Sequence, residues 1–303
     1  MDGVLNIDKP VGMTSFDVVA RIRKLTNTKK VGHAGTLDPD ASGVLPVCVG
    51  RATKIIEFLM DKNKSYRVGL FLGKTTDTQD SSGKTIYEKP VVHENSVIEE
   101  TIKSFIGRIE QIPPMYSALR VNGQRLYDLA RKGIEIERKP RIVTFHSIDI
   151  IDIVRHQDKV KVIMDVECSK GTYMRTLCHD IGEKLNCGGH MFSLVRIKSG
   201  PFSLDSSFSL DKLEELKNQN ELDAAIIGID KVLPNFPPVN LPEKEALKLR
   251  NGLVLSGYEL VTGYVRVYCG DIFLAIGKVF EKEGKKFLKT HKWINLNFSE
   301  RMK

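Results

Sequence analysis

The chain has 303 residues, with 46 Lys and Arg against 38 Asp and Glu, a formal net charge of +8 and 41% apolar residues. That apolar content excludes wholesale disorder, the length suggests about two domains at ~150 residues each, and the basic excess suits a polyanionic partner. No run reaches the ~18 uninterrupted apolar residues of a membrane helix, since the longest candidate, Gly43 to Met60, is cut by Arg51, Lys54 and Glu57.

The opening MDGVLNIDKP has neither a basic stretch nor an apolar core, so no signal peptide is expected and a soluble, cytoplasmic protein is the default. Thr14 and Ser15 then precede Val18, Val19, Ile22 and Leu25, the pattern of a capped amphipathic helix. In Val31 to Lys54, glycines 32, 35 and 43 and prolines 39 and 46 surround Asp38. Pro39 pushes Asp38 towards an extended backbone and the glycines permit turns, so the loop presents a carboxylate rather than packing it. Taken alone, the same dipeptide is an ordinary Asp-Pro turn.

Tyr66, Val68, Leu70 and Leu72 alternate as one face of a strand, as do Val160, Val162, Met164, Val166 and Cys168. Between them, Asn95 and Ser96 read as caps for a helix carrying Val97, Ile98, Ile102 and Phe105 up to Gly107. Arg120 to Arg141 is the most basic stretch, with Arg125, Arg131, Lys132, Arg138 and Lys139 inside it. Ser169, Lys170 and Gly171 suggest a turn into a helix with Arg175 in its first turn. Interspersed helices and strands without a strict βαβ rhythm predict an α+β fold, a mixed, largely antiparallel sheet flanked by helices.

Charge divides the chain. Residues 1–200 carry +7, residues 201–237 carry −4 and residues 238–303 carry +5. Leu233 to Pro242 holds four prolines in ten residues and reads as a linker, which sets domains of 1–235 and 236–303. Beyond it, a helix from Pro242 to Leu249 and strands Val261 to Cys269, Ile272 to Phe280 and Lys286 to Ile294 predict a small β-barrel. Its Tyr264, Tyr268, Phe273 and Trp293 suit either RNA or a barrel core.

Two other chemistries fit poorly. The five cysteines, at 48, 168, 178, 187 and 269, are scattered and odd in number, as reduced thiols are, and the Cys178, His179, Cys187, His190 cluster lacks a zinc knuckle. Gly69 to Thr75 approximates a phosphate-binding loop, but it is one residue short and begins inside a strand.

Five ordered blocks carry a stronger signal: DKPVGMTS (8–15), GHAGTLDPDASGVLPVCVGRATK (32–54), KSYRVGLFLGKTTDTQDSSG (64–83), QIPPMYSALRVNGQRLYDLARKG (111–133) and CSKGTYMRTLCHDIG (168–182). Through them the chain resembles the TruB family of tRNA pseudouridine synthases. The resemblance implies Asp38 as the catalytic residue, Tyr66 as the ring that stacks on the target uracil, and Tyr173 and Arg175 as pocket residues, with Arg175 paired to the carboxylate. It implies that His33 fills the gap left by the extruded nucleotide and that the backbone of Leu194 contacts the uracil edge. Residues near 111–140 correspond to a thumb-like insertion over the RNA, and the tail corresponds to a PUA-type RNA-binding domain.

The implied activity is isomerisation of the uridine at position 55 in the T-loop of tRNA. A carboxylate suits an anomeric carbon as it does in retaining glycosidases, although abstraction of the C2′ proton and addition to uracil C6 remain open as its role. Base extrusion costs a few kcal/mol, offset by basic residues for which Lys9, Lys29, Lys30, Arg51, Lys54, Arg67 and the 120–141 stretch are candidates. No metal or organic cofactor, no membrane and no obligatory protein partner are implied, and a monomer is expected. The rival readings are an RNA-binding or RNA-folding module with an incidental pocket and a guide-RNA-dependent synthase subunit.

Overall fold

The computed structural model describes residues 1–298 except 118, 122, 131 and 297, without the side chains of Arg120 and Arg125. Among these residues the main body is a nine-stranded mixed sheet. Its path runs Gly3–Lys9, Ser42–Val49, Gly189–Ser199, Lys64–Leu72, Lys159–Cys168, Arg141–His156 and Gly107–Gln111, with Val31–His33 and Phe202–Ser203 at the margins. Each pairing is antiparallel save that of Gly189–Ser199 with Ser42–Val49, where Val195 faces Ser42 and Arg196 faces Gly43. The predicted fold class is therefore the observed one.

Alternation along the strands fills one side of the sheet. Val68, Leu70 and Leu72 pack with Val160, Val162, Met164 and Val166 against Ile98 and Ile102 of the Asn95–Lys103 helix and Leu177 and Ile181 of Met174–Lys184. At the other end, Val18, Val19 and Ile22 of the Ser15–Thr26 helix meet Leu5, Ile7, Leu45 and Val47. Ile22 is fully buried, and truncation of such a side chain to Ala costs about 2–5 kcal/mol. Thr14 caps its helix reciprocally with Asp17, and Asn27 closes it in a left-handed turn at φ 46°.

The second helix starts differently from the expected cap. Glu94 is the N-cap and makes no side-chain bond there, while Asn95, the expected cap, lies inside the helix with its Oδ1 accepting from Arg155 at 3.3 Å.

Pro238–Asn240, Gly263–Cys269, Ile272–Lys282, Lys285–Trp293 and Leu255–Ser256 pair in that order as a second, open sheet. It is a half-barrel rather than a closed barrel, because its two end strands do not pair. The proline-rich segment is no free linker. Pro238–Asn240 runs parallel to Gly263–Cys269, an edge position that tolerates the missing proline N–H, while Val232 and Leu233 are buried.

The two sheets share apolar contacts. Phe58 sits edge-on to Phe236 and Tyr264, with ring centroids 5.2 and 4.8 Å away, and His291 and Lys292 both face Glu57. Tyr264 thus serves packing rather than a free stacking surface, and Trp293 donates its indole N–H to Asn295 O.

Candidate active site

The sheet opens on a cleft of about 700 Å³, the volume range of a small-molecule pocket. Gly35 to Asp38, Lys64, Tyr66, Arg141, Ser169 to Arg175, Leu194 and Arg196 contribute to its wall. Loop, central strands and helix start meet here because the order of the sheet sets Gly189–Ser199 between Ser42–Val49 and Lys64–Leu72.

The loop bearing Asp38 is tied down on both sides of that residue. Ser15 Oγ donates to Leu37 O at 3.1 Å and accepts from Leu37 N at 2.9 Å. Lys9 Nζ donates to Pro39 O at 3.2 Å and to Pro10 O and Met13 O. Lys9 is fully buried, and burial lowers its pKa. The expectation of Lys9 as a surface cation for RNA is thereby corrected: the ammonium is spent on backbone carbonyls beneath the loop.

Asp38 itself projects into the cleft with 44% of its side chain exposed, and its Oδ2 lies 3.0 Å from Arg175 Nη2. Arg175 comes from the first turn of Met174–Lys184, behind the Tyr173 N-cap. The guanidinium is otherwise enclosed, donating to Tyr116 O at 2.7 Å and Thr78 O at 3.4 Å and standing 3.6 Å from Asp80 Oδ2. An ion pair with so fixed a cation holds the carboxylate in place.

Tyr66 and Leu194 line the cleft from adjacent strands. Desolvation raises the Tyr66 pKa and keeps its hydroxyl protonated. Tyr173 is likewise pushed up by burial, and its backbone is clamped in both directions by the Gln111 side chain, N to Oε1 at 2.8 Å and Nε2 to O at 3.0 Å. The helix start is so fastened to the base of the 111–140 segment.

His33 is a second predicted site residue, after Lys9, that the structure leaves apart from the cleft. It ends Val31–His33, opposite Val47, and is absent from the cleft wall. Burial and the nearby Arg196 cation lower its pKa, which favours the neutral imidazole.

Other predicted cations have different partners. Arg51 pairs with Asp2 and reaches Ile294 O, and Lys54 donates to Trp293 O, so both join the two sheets. Arg67 makes a two-pronged pair with Asp165 at 2.8 and 2.9 Å. Arg138 pairs with Glu135 and donates to Pro113 O. Lys29, Lys30, Lys132, Lys139 and Arg141 are exposed, Arg141 at the cleft itself. Arg131 lies outside the described residues.

Two residues in contact with the site went unassigned in the sequence. Asp80 accepts from Thr78 Oγ1, Ser82 N and Ser82 Oγ through Oδ1 while its Oδ2 faces Arg175. Its signal was the polar run TTDTQDSS directly after an apolar strand. Arg196 is a buried cation in a strand, visible only as a charge among apolar neighbours.

Comparison with known proteins shows the family of the chain. A model described as TruB family pseudouridylate synthase (N terminal domain) matches residues 23–174, and one described as tRNA pseudouridylate synthase B C-terminal domain matches residues 175–234. The chain is 48% identical over 291 residues to tRNA pseudouridine synthase B of Clostridium perfringens strain SM101, covering 93% of this chain and 96% of that one. It is 47% identical over 259 residues to tRNA pseudouridine synthase B of Bacillus subtilis, covering 84% of each. Among solved structures, a Cbf5–Nop10–Gar1 complex aligns with TM-score 0.73 and 27% identity over 97% of this chain and 85% of that one.

Proposed function

The chain belongs to the TruB family of pseudouridylate synthases, and from that premise we propose that it isomerises a uridine of tRNA to pseudouridine, the uridine at position 55 in the T-loop. The observation that carries the reading is the carboxylate of Asp38 held by Arg175 in a cleft of nucleotide size.

Isomerisation breaks the bond from uracil N1 to C1′, turns the base and joins C5 to C1′, with no change in oxidation state. A single carboxylate at the sugar–base junction suits that sequence, since it can meet positive charge developing at the anomeric carbon. Arg175 fixes where that carboxylate stands. The Tyr66 ring and the edge of the Gly189–Ser199 strand at Leu194 supply a face and an edge for the detached base, which must be retained until it is rejoined. The target base leaves its stack to enter the cleft at a cost of a few kcal/mol, and the exposed cations around the mouth, Arg141 foremost, draw in the phosphates that offset it. Among the described residues no helix is long and apolar enough to cross a membrane.

The test is single-turnover release of tritium from C5-labelled uridine in an unmodified tRNA transcript, with no added protein or cofactor. The expected result is release by the native chain and none by Asp38→Asn, with RNA affinity retained. Tight binding by both without release overturns the reading in favour of an RNA-binding module.

A further inference from the structure

We propose that Arg196 is a positioning residue for the reaction, a staple across the neck of the 34–43 loop that holds Asp38 in fixed relation to Tyr66. The proposal rests on the roles given to Asp38 and Tyr66 above and adds a residue to which neither the motifs nor the comparisons assign a part.

Arg196 is 1% exposed and heads the largest fully buried side chains of the described chain. Its guanidinium donates from Nη2 to Gly35 O at 3.1 Å, from Nη1 to Thr36 O at 3.3 Å and from Nε to Val44 O at 2.7 Å. Gly35 and Thr36 lie where the chain enters the loop and Val44 where it leaves. One planar fork therefore closes both ends of the segment that carries Asp38.

The backbone of the same residue joins the two halves of the site. Arg196 is the register partner of Tyr66 on one side and of Gly43 on the other. At Gly43 the approach is so close that a Cβ would fall 2.4 Å from Arg196 O, and its φ of +98° also calls for glycine. The Tyr66 hydroxyl also lies within the electrostatic reach of the Arg196 cation. Loop and stacking ring are thus referred to one rigid strand position.

Replacing Arg196 alone leaves three loop carbonyls without their donor, at a desolvation cost for each one left buried, so the test separates the rate from folding. What an apolar side chain cannot do is hold three carbonyls of a catalytic loop, and an ammonium, lacking the planar fork, cannot hold all three in this geometry either.

The experiment measures Arg196→Lys and Arg196→Met in the full chain for thermal unfolding, tRNA affinity and single-turnover tritium release at saturating transcript. Arg196→Lys keeps charge and bulk and carries the test if Arg196→Met does not fold. The expected result is a folded Arg196→Lys chain whose affinity stays within about twofold while its rate falls about 10- to 100-fold, the cost of a misplaced reacting group. A rate within about threefold of the native chain overturns the proposal. So does a loss that follows weaker RNA binding, or an Arg196→Lys chain that fails to fold, either of which makes the residue structural. Absence of release from the native chain instead overturns the parent reading of Asp38.

Discussion

Asp80 Oδ2 stands 3.6 Å from Nη1 of Arg175, whose Nη2 engages Asp38. The guanidinium is therefore shared between two carboxylates of different kinds: Asp38 is 44% exposed at the side chain and Asp80 20%. Only the first faces the cleft; the second is occupied by the 78–82 turn.

Replacing Asp80 with Asn keeps the volume and one acceptor but turns a donor or a neutral oxygen towards Arg175. Arg175 then loses an anchor, and the expected outcome is a fall of about 10- to 100-fold in the single-turnover rate with little change in tRNA affinity. An unchanged rate across a transcript titration contradicts the anchoring role.

Arg141 is exposed at the rim of the cleft and has no part in holding the loop. Arg141→Gln is expected to weaken tRNA binding severalfold and to reduce the slope of log affinity against log salt by about one, the signature of one lost phosphate contact. Binding isotherms at four salt concentrations read both quantities.

Phe58, 8% exposed, is the ring that both Phe236 and Tyr264 abut. Phe58→Ala removes this contact between the sheets, with an expected loss of about 3–5 kcal/mol. Thermal unfolding, together with proteolysis near residues 233–242, reports whether the second sheet loosens first.

Lys64 lies in the cleft wall and donates to Met60 O and Lys62 O. Burial, with repulsion from Arg196, lowers its pKa from 10.5 to about 8. Between those values the unfolded chain keeps a proton that the folded chain has released, so this group makes stability rise with pH across the window from about 8 to 10.5. Lys64→Met is expected to flatten that rise. Denaturant midpoints of the two chains at pH 7, 8, 9 and 10 give the difference directly, and parallel curves contradict it.

The sequence by itself determined the fold class and the helix and strand faces, because amphipathic period and capping are local properties: Thr14 with Asp17, and Tyr66 to Leu72, needed no distant partner. It also supplied, through five motif blocks, Asp38, Tyr66, Tyr173 and Arg175, all of which line one cleft. Tertiary structure decided which cations face solvent. Lys9 and Arg196 look like any basic residue in the chain, yet both are buried because they end on carbonyls of a loop that lies beside them only after the sheet has formed. It decided equally that His33 stands outside the cleft wall and that a proline-rich segment becomes an edge strand. Burial and hydrogen-bond partnership belong to pairs of residues far apart in the chain. Local pattern cannot carry them.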